Sequence, residues 1–200
     1  QVSNQIWQVK QMLNKTIPTE GVHHITLVGA SRGVSIDFWE GILGMPFIFE
    51  QPNLDDQKES HLYFDPGDGR LITVFTNEGR LANSKRTSTE VGSVHHLAFT
   101  VSQSTFEQVA TRLEEKGVEH SGRKDRGFME SIYFKDPLGL LIELAFYKFT
   151  LPEGYRIADI MISAHRIRVA EGAYNIDQVH IARAIEQLTQ SRDSLSKPTG

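Results

Sequence analysis

Apolar positions along the chain recur with period two in short runs and with helical spacing in longer ones, and the order of the two patterns repeats. In the first copy, Val22 to Gly29 reads as a strand, followed by a helical stretch with Val34, Phe38, Trp39, Ile42 and Leu43 that Gly44 closes. Short strands are expected at Phe47 to Glu50, His61 to Phe64 and Leu71 to Thr76, separated by Pro52-Asn53 and by Pro66-Gly67-Asp68-Gly69 turns. In the second copy a strand from Val94 to Val101 precedes a helix with Phe106, Val109 and Leu113, closed by Gly117. Strands are then expected around Val118 to His120, Ser131 to Phe134 and Leu140 to Phe146, the last two joined by Asp136-Pro137-Leu138-Gly139.

Both halves therefore read β-α-β-β-β, which predicts an α+β fold of two modules, residues 21–76 and 94–147, with their strands in a curved mixed sheet. The polar segment 77–93 has no apolar period and reads as the linker. Ile6, Val9 and Leu13 predict a short helix in a leading extension, residues 1–20. After Lys148 a helical tail, 148–200, carries two apolar stripes: Ile157, Ile160, Met161, Ala164 and Ile167, then Val179, Ala182, Ile185 and Leu188. Each stripe must cover something, either the outside of the sheet or a second subunit, with a lid over a pocket as the alternative. The end from Ser191 is expected to fray.

Composition narrows the function. Two hundred residues with 39 % hydrophobic content bury a globular core, and 21 basic against 25 acidic residues give a net charge of −4 with no Lys/Arg block. Nucleic acid is thereby an unfavoured partner. Cysteine is absent, so disulfides and thiolate metal sites are excluded and any metal must be held by nitrogen and oxygen. No stretch approaches the roughly 20 apolar residues of a membrane span, and Gln1-Val2-Ser3-Asn4 lacks a signal-peptide core. A cytoplasmic protein is the expectation.

The candidate chemistry lies in a repeated tripeptide, Val22-His23-His24 and Val94-His95-His96, at the start of each module's first strand. Neighbours on a strand point to opposite faces, so one His of each pair can look toward a common point. Leu141, Glu143 and Ala145 share a face of the last strand, and a carboxylate among Leu141, Ile142, Leu144 and Ala145 needs a positive partner. Two imidazoles and one carboxylate make the open facial triad of non-haem Fe(II) oxygenases. His61, His120, His165 and His180 lack such a context, and the last two are expected to be solvated on the tail helices.

This repeat, with His at the first strand of each module and Glu in the last, resembles the vicinal oxygen chelate superfamily, over about residues 21 to 147. The resemblance implies metal ligands His24, His96 and Glu143. Members with glyoxalase chemistry add a fourth ligand where this chain has Thr73. The run Ile132 to Glu143, with Tyr133 ahead of a Pro-x-Gly turn, is similar to the close of the extradiol dioxygenase signature. Gly21 to Thr26, Asn53-Leu54-Asp55-Asp56 and His61-Leu62-Tyr63-Phe64 look like the dioxygenases that open hydroquinones.

That likeness implies catalytic or supporting roles for His23, Thr26, His95, Arg126 and Tyr133. Strand parity agrees for Thr26 and is awkward for His23 and His95. The implied cofactor is Fe(II), with Mn, Ni or Zn as alternatives, and the implied partners are a small dihydroxylated aromatic and O₂. The alternatives are a lyase or isomerase of the same superfamily that uses no O₂, and a resistance-type protein that only binds an aromatic ligand. Modules pairing within one chain and modules swapped in a homodimer would both bring equivalent His strands together.

Overall fold

A computed structural model describes residues 17–83, 85 and 87–196, with side chains to residue 190. The helix expected near residues 5–14 lies outside the described residues. The chain divides into two compact units, residues 1–81 and 82–200.

The first unit holds one β-α-β-β-β module: β1 (His24–Val28), α1 (Arg32–Trp39), β2 (Phe47–Pro52), β3 (Ser60–Phe64) and β4 (Leu71–Thr76). Its mixed sheet has the order β1-β4-β3-β2, with β1 parallel to β4 and the other pairs antiparallel. One face buries Leu62, Phe64, Ile72 and Val74, and α1 buries Phe38 and Trp39. Burying the aliphatic side chains contributes roughly 1.5–3 kcal/mol each. Gly29 is required where the chain leaves β1, because a Cβ there would lie 2.2 Å from Val74 Cγ1 and 2.8 Å from Ser35 Oγ.

The second unit repeats the module as β5 (Leu97–Thr100), α2 (Gln103–Glu115), β6 (Lys124–Asp125), β7 (Met129–Lys135) and β8 (Leu141–Tyr147), in the order β5-β8-β7-β6. The Ser102 hydroxyl caps α2 by accepting from the Thr105 amide, and the helix buries Phe106, Val109 and Leu113, the apolar positions of the sequence pattern. The strand expected at Val118 to His120 is a correction. His120 makes only an isolated bridge to Phe134, and the pairing strand is the two-residue β6. Gly122, at φ +68°, turns the chain between them.

Two further helices complete this unit, α3 (Ile157–Ala170) and α4 (Gln178–Ser196). The two helices face one another through Ile160, Ala164, Ile167, Ile181 and Ala184, a core against which Phe128, Phe149 and Tyr155 also pack. The stripe expected on α4 is corrected, since Val179 and Ala182 are exposed and Ile181 and Ala184 take the buried face beside the half-buried Ile185 and Leu188. The second of these helices runs to Ser196. His180, expected to be solvated, is buried at 4 % exposure, 3.2 Å from Glu171 Oε2 and 2.9 Å from Asp177 Oδ1. No helix among the described residues is long and apolar enough to cross a membrane.

Candidate active site

The parallel register of β5 on β8 sets Ala98 opposite Glu143, and the antiparallel register of β7 on β8 sets Tyr133 opposite the same residue. Glu143 therefore has neighbours from two strands on one face. It is 4 % exposed, and a carboxylate taken that far from water needs partners for its charge and lone pairs. The Ser131 hydroxyl and the Tyr133 phenol, the latter at 3.0 Å, both donate to Oε1. The His96 Nε2 lies 3.0 Å from Oε2.

Each His pair is tied within itself. His95 Nδ1 is 2.8 Å from His96 Nδ1, and His23 Nδ1 is 2.8 Å from His24 Nδ1, both pairs edge-to-face. His23 and His95, whose parity is awkward for facing a common point, each lie against their neighbour's Nδ1. With Nδ1 engaged, Nε2 is the nitrogen left for other chemistry, and ring orientation is fixed.

In the first unit the position equivalent to Glu143 is Thr73, and it is buried too. Its hydroxyl donates to Thr26 Oγ1 at 2.8 Å. Thr26, on the same face of β1 as His24, thereby has a hydroxyl partner. Tyr63 pairs with Thr73 as Tyr133 does with Glu143, and both tyrosines precede their partners by ten positions (73 − 63 and 143 − 133). That spacing was legible, whereas His61 and Ser131 were missed. Two residues before each tyrosine, they are aligned only once the register is known.

Arg126 lies on the turn after β6, exposed, with its guanidinium 5.6 Å from the centre of the Tyr133 ring. The structure thus brings together His95, His96, Glu143, Tyr133 and Arg126 in the second unit, and His23 with His24 and Thr26 with Thr73 in the first. Among the described residues no three His, Asp or Glu side chains gather into a metal-binding group. Within the second unit, one imidazole nitrogen and one carboxylate oxygen face each other at 3.0 Å, a nitrogen and oxygen donor pair that suits a divalent cation.

On the same face of the second sheet a cavity of about 220 Å³ is lined by Ala98, Thr100, Met129, Ala145 and Tyr147. Its small residues at Ala98 and Ala145 leave room beside Glu143.

The family model for the Glyoxalase/Bleomycin resistance protein/Dioxygenase superfamily matches residues 21–144. The chain is 29 % identical over 126 residues to the Bacillus subtilis (strain 168) protein named "Putative ring-cleaving dioxygenase MhqO", a match spanning 63 % of this chain and 40 % of that protein. It is 32 % identical over 127 residues to the metallothiol transferase FosB of Staphylococcus haemolyticus (strain JCSC1435), covering 62 % of this chain and 82 % of the relative. A glyoxalase family protein from Enterococcus faecalis shares the fold, with a TM-score of 0.52 at 22 % identity, over 64 % of this chain and 98 % of that one. The chain thus spans well under half the length of the first of these relatives.

Proposed function

Since the chain belongs to the glyoxalase, bleomycin resistance protein and dioxygenase superfamily, we propose that it is a metal-dependent dioxygenase that opens a dihydroxylated aromatic ring with O₂. The observation that carries this reading is the Tyr133 phenol on Glu143, with Arg126 over the phenol ring. A carboxylate held by a tyrosine leaves its other oxygen for a cation, and the tyrosine remains as a proton donor beside it.

In the second unit His96 and Glu143 are the residues that would hold the metal, with His95 orienting the imidazole through Nδ1; His24, with His23 on its Nδ1, is the corresponding candidate ligand of the first unit. Fe(II) is the proposed metal; Mn, Ni and Zn accept the same donors. Bound there, ferrous iron supplies a Lewis acid for an ionised hydroxyl and one-electron chemistry with O₂. The chain supplies the rest. Ala98, Thr100 and Ala145 give a wall against which a ring can lie, and the Tyr133 hydroxyl can pass a proton to an oxygen of the opening ring. Arg126, through its charge, favours the anionic form of that oxygen. The first unit carries Thr73, satisfied by Thr26, where the equivalent position of the second unit is Glu143, so it offers no further carboxylate ligand there.

The metallothiol transferase relative, matched over most of its length, favours a second reading: transfer of a thiol to a small substrate without O₂. One experiment separates them. Protein loaded anaerobically with Fe(II) is given hydroquinones and catechols while O₂ uptake and a ring-opened chromophore are followed. Equimolar O₂ consumption supports the dioxygenase. Thiol conjugation of fosfomycin with no O₂ uptake on any diol overturns it.

A further inference from the structure

The second unit holds a further cavity, of about 720 Å³, to which the reaction above assigns no role. Its walls are the turn at residues 125–128, between β6 and β7, and the α3–α4 connection at residues 174–177, with Met161 and Arg168 of α3. The two walls approach at Gly127, where a Cβ would lie 3.1 Å from the Ile176 carbonyl oxygen. Its size is that of a small-molecule site, about 300–1,000 Å³.

Both walls are held by their own hydrogen bonds. On the turn, the Arg126 amide donates to the Met129 carbonyl at 2.9 Å and the Gly127 amide to Asp125 Oδ1 at 2.8 Å. On the connection, Arg168 Nη1 donates to the Ala173 and Tyr174 carbonyls, each at 2.9 Å, and Nη2 donates to His165 Nδ1 at 3.1 Å. A ligand entering here meets a cavity that is already shaped, so little ordering opposes its binding.

The charges do not balance within the cavity. Asp125 lies 2.6 Å from Lys148 Nζ, and Asp177 Oδ1 is engaged by the Val179 amide at 2.9 Å and by His180 Nδ1 at 2.9 Å. Neither Arg126 nor Arg168 makes an ion pair among the described residues: the first has the face of Tyr133 and the second has neutral acceptors. Two guanidinium groups line one cavity without a carboxylate of their own, and guanidinium is the side chain best matched to carboxylate geometry. Beside them are apolar surfaces, the half-buried Phe128, Met161 and Ile176, and the ring of Tyr174, which is 92 % exposed at the rim.

We infer that this cavity is an accessory binding site for a small aromatic carboxylate, its anionic end on the arginines and its ring against Tyr174 and Phe128. The site lies wholly within the second unit and is independent of the metal and of the reaction proposed above. Arg126 belongs to both places, since it lines this cavity and also faces the Tyr133 ring.

The test titrates the full chain calorimetrically with sodium benzoate, using benzyl alcohol as the uncharged counterpart and acetate as the anion without a ring. Wild type is expected to bind benzoate at least about tenfold more tightly than either, the scale of one hydrogen bond to a charged group. Arg168→Gln should weaken benzoate by about tenfold and leave benzyl alcohol unmoved. Tyr174→Ala, at an exposed position, should weaken benzoate by about three- to tenfold through the lost ring contact. Benzoate held no more tightly than benzyl alcohol or acetate overturns the inference, as does an affinity unchanged in both variants. An affinity that His96→Ala abolishes and Tyr174→Ala leaves intact would put the carboxylate at the metal site and also overturns it. Because Arg168 anchors the connection, a variant that fails to fold is replaced by amide spectra of wild type. Benzoate-dependent shifts of the Gly127 and Asn175 amides support the site, and unmoved resonances overturn it.

Discussion

His96 stands between two partners, its Nε2 3.0 Å from Glu143 Oε2 and its Nδ1 2.8 Å from His95 Nδ1. For Nε2 to offer a lone pair, Nδ1 must carry the proton and donate it to His95. With a metal on Nε2 the pair would act as a tautomer lock, and the same contact recurs between His23 and His24. Replacing His96 or Glu143 by Ala is expected to abolish stoichiometric metal binding. His95→Phe and His23→Phe remove only the lock and are expected to weaken metal affinity by about 10–100-fold, as outer partners of ligating histidines do. Competition with a chelating indicator reads both effects. Unchanged affinity in His95→Phe would mean that the Nδ1 contact has no bearing on the metal.

Tyr133→Phe keeps the ring that Arg126 covers and removes the hydroxyl on Glu143. Ser131 still donates to the same carboxylate oxygen, so metal content should hold while turnover of a diol falls by about 10²–10⁴, the range for loss of a positioned acid or base. Oxygen uptake under saturating substrate gives the turnover number, and a loss confined to KM would assign the phenol to binding instead.

The repeat was legible because each module writes the same sequence of periods, and because α2 and β4 carry their apolar positions without exception. His96, Glu143 and Tyr133 were singled out through the family resemblance, and the fold sets them side by side. What the sequence could not convey was pairing that depends on register or on distant helices. The Val118 to His120 run has the composition of a strand, yet the partner edge of β7 is met by Lys124 and Asp125. His180 sits on a helix face that is polar in sequence, but α3 and α4 close on each other and bury it. His61 looked like an isolated imidazole until β3 was placed beside β4, which showed it to be the counterpart of Ser131.

Asp136 supplies a pH-dependent prediction. It is 7 % exposed, and burial raises its carboxyl pKa above the ordinary 3.8 even though the Leu138, Gly139 and Leu140 amides pull the other way. A raised folded-state pKa means that the folded chain binds the proton more tightly than the unfolded one. The resulting stabilisation is complete below pH 3.8 and is lost as pH rises through the folded value. Asp136→Asn keeps an acceptor for the Leu138 and Leu140 amides and cannot ionise. Urea unfolding from pH 4 upward should show wild type losing stability relative to Asp136→Asn, and parallel curves would count against this account.

Gly127 joins the helical tail to the site. It has φ +83°, and a Cβ there would lie 3.1 Å from the Ile176 carbonyl oxygen and 3.3 Å from Asp177 Cα, in the segment between α3 and α4. The neighbouring Phe128 packs on the core of those helices, while Arg126 on the other side covers Tyr133. Gly127→Ala therefore combines a left-handed backbone cost of about 1–2 kcal/mol with a push against the α3–α4 connection. We expect a lowered urea midpoint with an unchanged slope, and a fall in diol turnover at full metal occupancy, because the turn that aims Arg126 is displaced while His96 and Glu143 are untouched. Ile160→Ala, in the same helical core at 0 % exposure, is the control for stability. It should cost about 2–5 kcal/mol by leaving a cavity, and under folding conditions it should spare the turn geometry. A turnover loss in Ile160→Ala equal to that of Gly127→Ala would show that the helices act on activity through general stability rather than through the Arg126 turn.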